Sequence, residues 1–176
     1  MSEVVNPQTR IVLSPDEGET VWLRKLGIRF MIGGEETGGT FALVEHPIEP
    51  RALAAPMHTH RYEDEYTYVL EGEIGVQVGD EVRVARPGDL VFKPRGVPHA
   101  FWNAGDAPAR ALEIISPAGF EQYFAEAAAL FPPSHPGPPD EQALGAVLAR
   151  YGLEIDMASV PALVERHGLV SGEAPA

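Results

Sequence analysis

The sequence contains no cysteine. Disulfide staples, thiolate metal ligands and cysteine nucleophiles are excluded together. No apolar run approaches the ~20 residues that a membrane-spanning helix needs. The N-terminus, Met1 to Pro7, lacks a basic segment followed by an apolar one, so no signal peptide is expected and the cytoplasm is the expected compartment. Positive charge is scarce: 13 Lys and Arg stand against 26 Asp and Glu, for a net charge of −13. A protein that grips nucleic-acid phosphates needs a basic stripe. Arg24, Lys25 and Arg29, or Lys93 and Arg95, do not make one. The acidity is read as solubility, with no nucleic-acid or membrane partner.

What the chain does have is length enough for one domain with a full core, at 176 residues. Short alternating segments dominate its first two thirds. Arg10–Leu13 has the composition of a short strand. Thr20 to Ile32 suggests two strands around Gly27, and Gly33 to Gly39 a glycine-rich turn. Thr40–His46 reads as a further strand, with His46 structural or exposed at its end. Pro47 to Pro56 reads as a loop. Glu65–Leu70, Glu73–Val78, Glu81–Ala85, Leu90–Lys93, His99–Asn103 and Arg110–Ser116 complete the set, and no helix is expected between residues 10 and 116. Many short strands joined by glycine turns argue for a β-barrel or sandwich.

The pattern changes after Pro117. Gly119 to Phe131 is helical, with Phe120, Tyr123, Phe124, Ala127 and Leu130 near one face. Pro132 to Pro139 is an irregular, extended connection. Asp140 caps a helix to Tyr151 that Gly152 ends, and Ser159 caps a last short helix ended by Gly168. The tail from Ser171 is expected to be disordered. The division is therefore 1–116, a barrel with an N-terminal arm, and 117–170, a helical extension packed on it.

Chemistry concentrates between His58 and Asn103. His58 and His60 are two apart, so on a strand they project from one face. Glu65, Thr67 and Val69 share a face of the next strand, and His99 opens a third. Three imidazoles and a carboxylate make a nitrogen and oxygen site for one divalent first-row metal, with Mn, Fe, Co, Ni, Cu and Zn all open. Glu63 shares a face with Glu65 and is the rival carboxylate. The preferred reading of Glu63 and Asp64 is a solvated acidic rim.

The spacing is His-x-His, four residues, Glu65, six residues, Gly72, and then Gly88, five residues, Pro94-x-Gly96, two residues, His99, three residues, Asn103. This resembles the two signature motifs of the cupin superfamily. The first motif departs only at its start, where Ala52 stands in place of the frequent Gly. The resemblance implies a mainly β fold, an antiparallel double-stranded β-helix (the cupin or jelly-roll barrel), with the C-terminal α-helices added. It also implies that His58, His60, Glu65 and His99 ligate the metal. The single motif pair, followed by the Pro117–Phe124 helix and two more helices, is similar to the single-domain quercetinase-type cupins.

That similarity implies a dioxygenase that cleaves a flavonol or a similar enolisable aromatic substrate with O₂, and Glu65 as the proton acceptor. Met57, Phe92 and Phe101 are candidates to line an apolar pocket, with Phe120, Tyr123 and Phe124 as secondary candidates. Two alternatives stand beside it. One is a decarboxylase or isomerase of a small oxo-acid, for which Arg51, Arg61 and Arg95 are the candidate cations. The other is a non-enzymatic small-molecule binder. A homodimer paired through the Arg10–Leu13 segment is expected from the family.

Overall fold

A computed structural model describes residues 12–131 and 139–170 of the chain. The fold is mainly β. Its strands are β1 (Thr20–Leu23), β2 (Leu26–Ile32), β3 (Ala42–Ile48), β4 (Ala52–His60), β5 (Asp64–Glu71), β6 (Ile74–Val78), β7 (Glu81–Ala85), β8 (Leu90–Lys93), β9 (His99–Asn103), β10 (Ala109–Ser116) and β11 (Leu153–Ile155). Four helices accompany them: α1 (Gly34–Thr37), α2 (Glu121–Ala129), α3 (Glu141–Tyr151) and α4 (Ser159–His167). The strands form two sheets, ordered β1-β2-β3-β10-β5-β8 and β11-β4-β9-β6-β7, and every named pairing is antiparallel.

Alternation decides which side chains enter the barrel. On β10, Ala109, Ala111, Glu113 and Ile115 are buried while their neighbours are more exposed. On β3, Val44, His46 and Ile48 are buried, and on β5 so are Glu65, Thr67 and Val69. Leu26, Ile28, Val44, Ile48, Val69, Ile74, Ile115 and Phe101 form the main apolar core. Within this largely aliphatic interior, His46, Glu65, Thr67, Lys93 and Glu113 are buried polar exceptions.

Several sequence expectations shift. Gly27 lies inside β2, and the turn is made at Arg24 and Lys25, with Arg24 at φ 57°. Gly27 is glycine for closeness: a Cβ there would stand 2.5 Å from Pro47 Cγ. The run Pro47 to Pro56 is not one loop, because Pro47 lies in β3 and Pro56 in β4. One turn of helix, α1, replaces the expected turn at Gly34–Thr37. Ser159 is the first residue of α4 rather than its cap, and its hydroxyl donates to the Asp156 carbonyl at 2.6 Å. Asp140 does cap α3, accepting from the Ala143 amide at 2.8 Å, and Gly152 ends that helix in the left-handed conformation. Val12 and Leu13 are not in a strand. Arg10 and Ile11, the connection 132–138 and the tail from Ser171 lie outside the described residues.

The helices pack on the barrel. Helix α2 lies against β1 and α3, and α4 against β4. Phe120, Tyr123, Phe124 and Ala127 are buried in the main core. After α3 the chain returns to the barrel as β11, which adds an outer strand beside β4, with Leu153 opposite His60 and Ile155 opposite His58. Trp102 stacks on His167 of α4 at 4.1 Å and shares a second apolar cluster with Leu163 and Leu169. Among the described residues no helix is long and apolar enough to cross a membrane.

Candidate metal centre

His58 and His60 project inward from the end of β4, where the β4–β9 pairing is interrupted between Ala55 and His58. Pro56 sits at that irregularity and has no N–H to give to a ladder. Its carbonyl accepts instead from His58 Nδ1 at 2.8 Å. His99 Nδ1 donates in the same way to the Val97 carbonyl at 3.0 Å. Both rings are thereby held with the proton on Nδ1 and the Nε2 lone pair free. Gly96, at φ 75°, forms the turn before His99, and its amide donates to the His60 carbonyl at 2.8 Å. The two halves of the site are thus joined through backbone.

Glu65 comes from β5 in the opposite sheet. One ligand atom from each of His58, His60, Glu65 and His99 lies within 4.8 Å of the others. His99 Nε2 is 3.2 Å from Glu65 Oε2, and His60 Nε2 is 3.4 Å from Glu65 Oε1. Neither nitrogen of the buried His60 ring has a hydrogen-bond partner. Orphaned buried nitrogens are costly, and a cation between the four side chains would satisfy His60 Nε2. Three imidazoles and a carboxylate suit a divalent transition metal, so the residues present fit the group that the motif implies.

Electrostatics prepare these ligands. Burial and the neighbouring rings of His99 and His60 hold His58 well below its ordinary range. Burial also lowers His99, against the pull of the adjacent Glu65 carboxylate. Burial pushes the Glu65 carboxyl up, but His60, Lys93 and His99 together overcome it and hold Glu65 well below the usual range. His58 and His99 are therefore held as neutral imidazoles and Glu65 as an ionised carboxylate near neutral pH.

Glu63 corrects the solvated-rim reading. It is buried, with Oε2 3.7 Å from His60 Nδ1, on the side of the ring away from Glu65. Asp64 is tied to Arg95 at 2.8 Å. Arg51 pairs with Asp106 at 2.7 Å, and Arg61 lies over the Tyr62 ring. None of Arg51, Arg61 and Arg95 lines the cavity.

A cavity of about 490 Å³ opens beside the ligand cluster, with His58, His60 and Glu65 in its wall. Phe101, Phe120, Tyr123 and Phe124 line it together with Leu53 and Ala55. Phe120 meets His60 edge to face at 4.3 Å. Met57 and Phe92 do not line it, for one reason: each neighbours an inward residue, His58 or Lys93, so alternation turns it out. Met57 packs with the second cluster, and Phe92 is 50% exposed and stacks on Tyr66.

The cavity wall holds three buried polar residues that sequence reading did not assign to the site. Lys93 is 1% exposed; its Nζ is 2.8 Å from Glu65 Oε2 and 3.0 Å from Glu113 Oε2. Glu113 also accepts from Thr67 Oγ1 at 2.7 Å. Burial pushes the Glu113 carboxyl up to about 7 against the pull of Lys93. Burial would lower Lys93, but the two carboxylates raise it, so it stays charged. The third is His46, buried in the wall with Nδ1 3.0 Å from the Gly27 carbonyl. Strand pairing places two of them: Lys93 is directly opposite Glu65, and Glu113 opposite Thr67.

Residues 45–115 match the family model of the cupin domain. A 90-residue stretch is 33% identical to the tetracenomycin polyketide synthase protein TcmJ of Streptomyces glaucescens, over 51% of this chain and 60% of TcmJ. The chain therefore spans less than two thirds of that relative's length. Among solved structures, the polyketide cyclase RemF from Streptomyces resistomycificus superposes with a TM-score of 0.53 at 27% identity, over 60% of this chain and 78% of RemF. A predicted oxalate decarboxylase from Thermotoga maritima superposes with a TM-score of 0.57, over 60% of this chain and 98% of that one. At 18% identity that likeness speaks for the fold alone.

Proposed function

We propose that this chain, which carries a cupin domain over residues 45–115, is a metal-dependent enzyme that takes a proton from an enolisable, oxygen-rich aromatic or polyketide-type substrate. The observation that carries the reading is the juxtaposition of the four-ligand cluster with a large cavity walled by Leu53, Ala55, Phe101, Phe120 and Phe124. Similarity to TcmJ and RemF, both named for polyketide chemistry, supports that substrate class. One divalent metal held by His58, His60, Glu65 and His99 would supply Lewis acidity toward a substrate oxygen.

The protein's own residues do the rest. Glu65 is ionised near neutral pH and stands at the ligand cluster, so it accepts the proton of an acidic hydroxyl or activated carbon. Lys93 fixes the Glu65 oxygen at 2.8 Å and is itself anchored by Glu113. The phenylalanines exclude water, which strengthens each of these interactions.

A decarboxylase or isomerase of a small oxo-acid is the second reading. Lys93, the only buried Lys or Arg among the described residues, already sits between two carboxylates, and the cations left to receive a substrate carboxylate are Arg24 and Lys25 in the cavity wall. O₂-dependent cleavage of a flavonol starts from the same deprotonated substrate and differs in consuming O₂. The test is an oxygen electrode with protein reconstituted in turn with zinc, nickel, cobalt, manganese, iron and copper, using quercetin. Metal-dependent binding without O₂ uptake is expected. Uptake that is lost in Glu65→Gln would make the protein a dioxygenase, and unchanged quercetin binding after metal removal would sink the metal-centred reading.

A further inference from the structure

His46 has three properties that no role in metal ligation explains. Its Nδ1 donates to the Gly27 carbonyl at 3.0 Å. Pro47, the next residue, brings no N–H to the neighbouring strand, so that carbonyl is free to take the ring proton. The tautomer is thereby set, and Nε2 carries the lone pair. No hydrogen bond or ion pair occupies Nε2 among the described residues, although the residue is only 2% exposed. The ring belongs to the wall of the same cavity as the metal ligands. It is wedged there by Phe124, edge to face at 5.5 Å, and by Phe101 at 6.1 Å. Its strand neighbour across β10 is Ala111, which leaves room beside it.

We infer that His46 Nε2 is the specificity-determining acceptor of the cavity, receiving a hydrogen bond from a phenolic or enolic hydroxyl on the substrate remote from the metal-binding end. The inference rests on the reading of the cavity as a site for hydroxylated aromatic substrates, and it adds which hydroxyl is recognised and by what. A neutral imidazole suits this task because it accepts without bringing a charge into an apolar wall. Burial favours that neutral form and carries the ring down to about 4, against the hydrogen bond to Gly27. Lys93 and Glu65 are the charged groups that act on it, with opposite signs. A buried acceptor of this kind discriminates against an analogue that lacks the hydroxyl, because the acceptor is then left unpaired.

The experiment uses the zinc-loaded full chain and two probes. Flavonol keeps the hydroxyl–carbonyl pair that a metal binds, and quercetin adds ring hydroxyls. Wild-type protein is expected to bind quercetin roughly tenfold more tightly than flavonol, the scale of one hydrogen bond. In His46→Phe the two probes are expected to bind alike, the tenfold preference for quercetin being lost. Long-range ¹H–¹⁵N spectra of the wild-type histidines need no variant to fold. They are expected to show His46 with its proton on Nδ1 and an Nε2 signal that moves with quercetin but not with flavonol. Preference for quercetin that persists in His46→Phe, an Nε2 signal unmoved by bound quercetin, or failure of both probes to bind would overturn the assignment. Equal binding of both probes with and without zinc would instead defeat the metal reading, leaving the contrast between probes to judge His46.

Discussion

Replacing Lys93 by Met tests whether the barrel interior is built around a charge balance that the metal completes. Lys93 Nζ lies 2.8 Å from Glu65 and 3.0 Å from Glu113, and the three side chains are 1%, 5% and 1% exposed. Methionine matches the stem in volume, so the change removes charge with little cavity. Breaking a buried pair by deleting one partner typically destabilises by about 3–5 kcal/mol, because the remaining charge has no compensation. Two carboxylates remain here, which places the metal-free variant toward the upper end at about pH 8.

Protonation then relieves part of it. Glu113 already lies at about 7, and Lys93 is what pulls it down, so loss of Lys93 moves it higher. A carboxyl whose folded value exceeds its unfolded one binds more protons when folded, so its contribution to stability falls as pH rises through that window. The defect should therefore be smaller at about pH 5 than at about pH 8. A divalent ion at Glu65 compensates the other carboxylate, so zinc should restore more stability to the variant than to the wild type. Urea unfolding with and without zinc, at both pH values, reads all three effects. A variant as stable as wild type, or a defect that zinc does not reduce, would refute this reasoning.

Two further outcomes follow from packing and titration. At Gly75 a Cβ would stand 2.0 Å from Trp102 Nε1, so Gly75→Ala must displace the indole that stacks on His167. A loss of about 3 kcal/mol or more is expected, with a changed tryptophan emission and faster proteolysis near α4; unchanged emission would contradict that packing. His46 is lowered from 6.5 to about 4 by burial. The folded state thus binds fewer protons than the unfolded state in that window, and its contribution of about 3 kcal/mol is lost as pH falls from 6.5 to 4. Glu113 acts with the opposite sign, so the readout is the difference between wild type and His46→Phe across this range. A difference that stays flat with pH would refute the assignment.

The barrel was legible because its strands are short, alternate cleanly and are separated by glycine turns. The ligands were legible because strand geometry puts His58 and His60 on one face, and Glu65 on the face of Thr67 and Val69. The remaining site residues were hidden for particular reasons. His46 precedes a proline, which reads as a strand end, yet β3 continues through Pro47 because Gly27 gives the ring room. Lys93 and Phe92 are adjacent in a four-residue strand, too short for alternation to fix its own phase, and apolarity favoured the wrong one. Only pairing with β5 sets the lysine opposite Glu65. Glu63 reads as a surface acid, yet it is buried beside His60, whose strand the chain later flanks with β11. Such long-range pairings leave no local pattern.

The most direct measurement is solvent deuterium exchange. Zinc-loaded protein is incubated in deuterated buffer with ortho-hydroxyacetophenone, whose phenol and ketone oxygens together suit a metal and whose methyl protons are enolisable. Label entering the methyl group is followed by NMR beside an oxygen electrode. The account predicts exchange that requires both zinc and Glu65, disappears in Glu65→Gln, and proceeds without O₂ uptake. No exchange above the rate of free zinc, with the probe bound and one zinc per chain, would contradict it.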